Sequence, residues 1–258
     1  MVRGLDVFRD WFSDYSDRYI LIGGTAAHIA MAEAGAEFRA TKDLDIVLVA
    51  EELDAAFVTA IRDFTEAGRY HKRMKSSGKT CLYRFSHPED ENYPFMLEFF
   101  SLLPNDIQFE GEGHLAPIPT DEVGVSLSAI LLDPDYYEFI VAGRYEIDGL
   151  TLLRQEYMIP LKARAFLDLA AQRKRGESVQ SNDIRKHISD VFRLFRIVDP
   201  DQRPYLPAGI EEDLAKFLSA AQEAGFDPRR SGYRDRSLAD LCTDIRKHYG
   251  LPGSTTVP

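Results

Sequence analysis

Tyr19-Ile20-Leu21-Ile22-Gly23-Gly24-Thr25, followed further along by Thr41-Lys42-Asp43-Leu44-Asp45-Ile46, decides how the first half of the chain reads. The apolar run stopped by two glycines is the pattern of a buried strand ending in a tight turn. Thr25 then opens a stretch of high helix propensity that runs to Gly35, a suitable C-cap. Leu44 to Val49 reads as a second strand. Side chains alternate faces along a strand, so Asp43 and Asp45 point one way while Leu44 and Ile46 point to the core. Two carboxylates so close repel each other unless something positive compensates. Hard oxygen donors at that spacing suit Mg²⁺, which keeps waters and takes substrate phosphates. The glycines bring backbone N–H groups and a helix start within reach of a phosphate. Each piece also has a plainer reading, solvated acids for D-x-D and an ordinary turn for Gly-Gly-Thr. The succession of strand, glycine turn, helix and acid-bearing strand is the specific feature.

Further outward, residues 4–16 carry Leu5, Phe8, Trp11 and Phe12 at helical spacing, and 51–67 read as a helix ending at Gly68. Residues 80–85 and 95–103 read as strands separated by a proline-containing loop at 88–94. The second holds Glu98 among large apolar side chains, where a lone acid is costly unless paired or metal-bound. A strand beside Asp43 and Asp45 would let all three carboxylates converge. The plainer alternative is the polar face of an edge strand. Residues 104–120 read as loop, and 136–142, 144–147 and 150–153 as a short β-rich stretch with an Asp148-Gly149 turn. Helices are expected at 157–173, 181–197, 209–224 and 236–248. The fold class is thus α/β (α+β), a mixed sheet followed by a mainly helical C-terminal domain. The expected divisions are 1–125, 126–250 with a β-rich entry, and a disordered tail at 251–258, with the change of character somewhere in 125–155.

With 258 residues, 45% of them hydrophobic, the chain can bury one large core or two modest ones. A net charge of -11 argues against a broad nucleic-acid surface but leaves room for local patches. The densest are Arg69, His71, Lys72, Arg73, Lys75 and Lys79, then Arg173, Lys174 and Arg175; each is either a solvated face or a nucleotide or RNA contact. Cys81 and Cys242 lie too far apart for a metal or redox motif, and Cys81 reads as a core residue. No signal or anchor stretch is evident, so the cytoplasm and no membrane association are expected. There is no G-x-G-x-x-G, Walker A loop, G-x-S-x-G or H-E-x-x-H. His28 reads as a packed histidine or one facing the glycine turn, and His114 has no partner at metal spacing.

The glycine motif Gly23-Gly24-Thr25 and the paired aspartates of Thr41–Ile46 resemble those of the polymerase-beta-like nucleotidyltransferases. Within that superfamily the chain looks most like the AbiEii-type toxin enzymes of toxin–antitoxin systems. Lys162, in Ile159-Pro160-Leu161-Lys162, matches a helix-start lysine of that family. Arg185-Lys186-His187-Ile188-Ser189-Asp190 resembles a later helical motif, although His187 stands where an acid is usual. Glu98 takes the third carboxylate position, where aspartate is common.

The resemblance implies a minimal nucleotidyltransferase core and in-line attack of a hydroxyl on the α-phosphate of a nucleoside triphosphate. A two-metal Mg²⁺ site would rest on Asp43, Asp45 and Glu98, with Glu98 able to help remove the attacking proton. Gly23, Gly24 and Thr25 would seat the β- and γ-phosphates, and Lys162 and Lys186 would neutralise the triphosphate. Asp190 could instead pair with Lys186 four residues earlier on the same helix face. The resemblance also implies the 3′ end of a tRNA as acceptor and a cognate antitoxin as partner. A small hydroxyl acceptor, or a binding protein that has lost activity, are the competing readings.

Overall fold

The computed structural model describes residues 2–72, 82–100 and 133–252. They belong to two compact units, Met1–Arg154 and Gln155–Pro258. The first is built on a mixed β-sheet and the second is mainly α-helical.

In the first unit, α1 (Leu5–Trp11) leads into β1 (Tyr19–Ile22), α2 (Gly23–Glu33) and β2 (Asp43–Leu48). Next come α3 (Ala55–Ala67), β3 (His71–Lys72), β4 (Leu82–Ser86) and β5 (Met96–Phe100). The unit closes with α4 (Pro134–Ala142), β6 (Arg144–Ile147) and β7 (Leu150–Leu153). Among the described residues the strands form one sheet in the order β3-β4-β5-β2-β1-β7-β6. β2 runs antiparallel to β1 and parallel to β5, so the acid-bearing strand lies in the interior of the sheet. The β6–β7 hairpin turns at Asp148-Gly149 and joins the same sheet through β7, which runs parallel to β1.

Two local readings change. Residues 136–142 form helix α4 rather than a β-stretch. Asp133 caps it by accepting from the Asp135 N–H, and Pro134 occupies the first turn, where a missing N–H costs nothing. The apolar residues of Tyr136–Ala142 suit either period, and the cap decides. The helix expected from residue 51 begins at Ala55, because the Asp54 carboxylate accepts from the Phe57 N–H at 2.8 Å. The preceding Ala50–Glu52 turn is held by Tyr137, whose hydroxyl donates to Glu51 at 2.9 Å and accepts from the Ala50 N–H at 2.7 Å. Arg73, Lys75, Lys79, Cys81, His114 and the loop at 104–120 lie outside the described residues.

One aromatic core joins α1, α3 and the strands. The Phe64 ring lies 4.9 Å from Tyr93, 5.2 Å from Phe12, 5.5 Å from Trp11 and 5.9 Å from Phe8, mostly edge-on or tilted. Trp11, the partly exposed member, donates its indole N–H to the Ala60 carbonyl at 3.2 Å.

The second unit comprises α5 (Gln155–Lys174), α6 (Ser181–Leu194), α7 (Ala208–Glu223) and α8 (Leu238–Tyr249). Their buried stripes meet around Leu169, Phe192, Leu214, Phe217 and Ile245. Pro160 lies inside α5 and cannot donate to the Glu156 carbonyl four residues earlier. The buried Tyr249 hydroxyl donates to that carbonyl instead, at 2.7 Å. The helix therefore starts at Gln155, upstream of the proline, and Lys162 sits two turns inside rather than at its beginning. Leu251, expected in the disordered tail, is buried, and its N–H bonds the Arg246 carbonyl beyond the left-handed Gly250. Residues 253–258 lie outside the described range. Among the described residues no helix is long and apolar enough to cross a membrane.

Because Phe64 joins rings from α1 and from the Tyr70–Tyr93 side of the sheet, Phe64→Ala should cost about 3–5 kcal/mol in urea unfolding. A loss below about 1 kcal/mol would show that the aromatic core collapses around the gap and does not tie these elements together.

Candidate active site

The parallel pairing of β2 with β5 sets Asp43 opposite Met96 and Asp45 opposite Glu98. Register partners in a sheet point to the same face, so Asp45 and Glu98 stand side by side, with Asp43 two residues along on that face. Leu44 and Ile46 are fully buried on the other face, as the alternation requires. The antiparallel β4 then places Arg84 opposite Glu98. A row runs across three strands: Arg84, Glu98, Asp45.

Arg84 donates through Nε to Glu98 Oε1 at 2.6 Å and also forms an ion pair with it through its terminal nitrogen. Glu98 is buried, and the strand register sets the Asp45 carboxylate beside it. Burial first, and then the Asp45 charge, push the Glu98 carboxyl up to about 8, against the opposing pull of Arg84. A proton on Glu98 would remove one of the two adjacent negative charges. A cation at the same place would do so equally well. The donor set, all carboxylate oxygen, is the kind that takes Mg²⁺.

The three acids do not all converge. Among the described residues no group of three or more His, Cys, Asp or Glu side chains is arranged to hold a metal ion. Arg84 and Asp45 engage Glu98, while Asp43 lies further along β2, half-buried. The expected third ligand is thus drawn into a row with its neighbours.

The glycine turn abuts this row. Ile22 pairs with Asp45, and the chain then enters α2 at Gly23 with φ of 68°. A Cβ on Gly23 would lie 1.8 Å from Asp45 Oδ2, so only glycine lets the backbone pass the carboxylate this closely. A Cβ on Gly24 would lie 2.8 Å from the Thr41 hydroxyl and 3.6 Å from an Arg39 guanidinium nitrogen. The first amides of α2 have no partner within the helix, and the helix begins where Ile22 pairs with Asp45. Thr25 is fully buried and donates its hydroxyl to the Asp43 carbonyl at 2.8 Å. Its side chain ties the helix to the acid-bearing strand, which leaves its backbone N–H as the group it can offer a phosphate. His28, on the same helix, is half-buried, and burial lowers its imidazole below the ordinary value.

In the second unit, Lys162 is buried on α5 and forms an ion pair with Asp190 of α6 at 3.3 Å. Asp190 is completely buried. Lys186 pairs with Asp183 at 2.9 Å, so the expected Lys186–Asp190 pair does not form. Asp190 points into the α5–α6 contact, whereas Lys186 lies on a more exposed part of α6 and meets the acid one turn before it. His187 is buried beside this pair in sequence.

Sequence reading does not single out two residues of the site. Arg84 sits mid-strand in Leu82–Ser86, and an arginine inside an apolar strand is the available signal, but its partner follows only from register. Arg39 precedes Thr41 and reaches the glycine turn through a loop whose path no periodicity fixes.

The pH dependence of stability tests this electrostatic picture. A carboxyl raised in the folded state binds its proton more tightly there than in the unfolded chain. Its contribution to stability is complete below the unfolded value of 4.5 and is lost as pH climbs through about 8. In chelator, the wild type should therefore lose stability across that window more steeply than Glu98→Gln. Parallel curves for the two proteins would mean that Glu98 is not the buried, shared carboxyl described.

No family model matches the sequence, and no curated protein is similar to it. Solved structures of distantly similar fold include the following two. An antigenic nucleotidyltransferase-like protein from Paracoccidioides brasiliensis has a TM-score of 0.44 and 14% identity, over 90% of this chain and 92% of that one. The Megavirus polyadenylate synthase has a TM-score of 0.39 and 10% identity, over 85% of this chain and 36% of that one. Both likenesses are distant.

Proposed function

We propose that the chain is a Mg²⁺-dependent nucleotidyltransferase that moves a nucleoside monophosphate from a nucleoside triphosphate to an acceptor hydroxyl. The observation that carries this reading is the placement of a glycine turn, closed to any side chain by Asp45, directly against the paired carboxylates. Phosphate-binding amides and metal-binding oxygens are thereby offered side by side.

Asp43 and Asp45 are the residues to hold the metal, with Glu98 joining them when its proton is displaced. Bound divalent metal supplies the charge that polarises the α-phosphate and lowers the pKa of the attacking hydroxyl. The amides of Gly24 and Thr25 at the start of α2 receive the negative phosphates. Gly23 keeps the backbone close enough for that contact. Glu98, poised near neutral pH, can take the proton that the acceptor hydroxyl gives up. Arg84 holds the Glu98 side chain in place while it does so. The assignment of Lys162 and Lys186 to the triphosphate rests on sequence resemblance. So do the tRNA 3′ end as acceptor, ATP as one of the candidate nucleotides, and a toxin–antitoxin setting.

Each α-³²P nucleoside triphosphate should be incubated with the full chain, Mg²⁺ and either total cellular RNA or a pool of small hydroxyl compounds. Label transfer that falls at least about 100-fold in Asp43→Asn/Asp45→Asn is expected, from the scale of losing a charge-stabilising group. Transfer that survives the double substitution would refute the assignment. Mg²⁺-dependent triphosphate binding without transfer to either pool would favour a binding protein of this fold.

A further inference from the structure

The net charge of -11 is not spread evenly. Residues 1–154 hold 14 Lys and Arg against 27 Asp and Glu, while residues 155–258 hold 17 against 15. The whole excess of acid belongs to the sheet unit, and the helical unit is slightly basic.

Within the helical unit, arginines gather where the segment 226–236 docks on the end of α6. The docking is built from several interactions. Phe226 stacks on Phe192 with centroids 5.0 Å apart and planes 12° from parallel. The buried Ser231 hydroxyl donates to the Ser189 carbonyl at 3.0 Å. Arg193 donates to the Arg230 carbonyl at 3.1 Å. Gly232, with φ of 88°, lies so close to Arg196 that a Cβ there would meet the guanidinium at 2.5 Å. Tyr233 is half-buried and lies within the field of both Arg196 and Arg236.

The result is a fixed surface on which Arg196, Arg229, Arg230, Arg234 and Arg236 are all exposed around one tyrosine. Asp227 neutralises Arg229 at 3.0 Å, and Asp244 pairs with Arg236. Asp235 adds a further acid in the segment. Arg196, Arg230 and Arg234 have no carboxylate within ion-pair distance among the described residues. A loop pinned in place that keeps uncompensated guanidinium groups in solvent is ready for an anion that carries repeated charges. Arginine binds phosphate through two parallel N–H groups and also stacks on planar rings. An aromatic ring beside such arginines is the pattern that holds single-stranded nucleic acid, whose unstacked bases are free to stack.

We propose that this arginine surface of the helical unit docks single-stranded nucleic acid through its phosphates. As the docking surface for an acceptor strand it rests on the transferase reading; as a polynucleotide-binding surface it stands without it.

The test is the fluorescence anisotropy of a labelled single-stranded RNA 20-mer with the full-length chain, in chelator and without triphosphate, so that no chemistry intervenes. Arg230→Glu/Arg234→Glu should weaken binding by about 10-fold or more. It should also reduce the slope of log affinity against log salt by about 1 to 2, near 0.7 for each phosphate that is no longer neutralised. Arg230→Lys/Arg234→Lys should keep most of the salt slope. Both substitutions leave the docking interactions intact, so an unchanged melting temperature accompanies them. Asp43→Asn/Asp45→Asn should bind RNA as the wild type does, which separates docking from transfer. The proposal is overturned if the wild type does not bind RNA, if charge reversal leaves affinity and salt slope unchanged, or if a polyglutamate peptide binds this surface in preference to RNA.

Discussion

Two carboxylates forced side by side by strand register are the constraint around which the first unit is arranged. Asp45 and Glu98 cannot move apart without shifting β2 against β5, and that shift would turn Leu44, Ile46, Leu97 and Phe99 out of register with their neighbours. Their repulsion must be met locally. Arg84, one strand further out, meets part of it, and the raised proton affinity of Glu98 answers the rest. The glycine turn follows from the same pair, because Asp45 fills the space that any Cβ at Gly23 would need. The costs of burying charge and of a left-handed backbone are concentrated at one place, as is common where strain serves a site.

Packing explains why this arrangement can be held. β2 is flanked on both sides, by β1 and β5, so its acids project from a strand interior to the sheet. Thr25 bonds the Asp43 carbonyl and fixes the helix start relative to the strand. Behind the sheet, Phe64 and its ring neighbours lock α1 and α3 together. In the second unit, Tyr249 repairs the carbonyl left open by Pro160, which keeps α5 continuous through Lys162. The Lys162–Asp190 pair then joins α5 to α6 in a nearly dry setting, where neither charge is tolerable without the other.

Much of this is legible in the chain because it is written in short periods. The alternation of Asp43, Leu44, Asp45 and Ile46 gives the face of each side chain directly, and Glu98 stands out as an acid inside an apolar run. The order of strand, glycine turn and helix likewise needs only local rules. What cannot be read depends on partners distant in sequence. Arg84 meets Glu98 only because β4 pairs with β5 in one register. Asp190 turns to Lys162 rather than Lys186 because α6 packs its buried face on α5, and helix spacing alone cannot choose between them. Tyr136–Ala142 is apolar at both periods, and the cap at Asp133 tips it to helix. The arginine surface is hidden in the sequence for a related reason: its members come from the turn after α6 and the 226–236 segment. Net charge over the whole chain also conceals the basic half.

The replacement by a divalent cation of the proton that burial and Asp45 favour on Glu98 is the step on which the proposed function rests. Its most direct test is Mn²⁺ binding to the full-length chain near neutral pH, with free ion followed by electron paramagnetic resonance and released protons by calorimetry in buffers of different ionisation enthalpy. Binding should release on the order of one proton, since ligands must deprotonate to take metal. Binding should be lost in Asp45→Asn, and the released proton should disappear in Glu98→Gln. Mn²⁺ bound equally well by Asp43→Asn/Asp45→Asn, or bound by the wild type with no proton released, would contradict it.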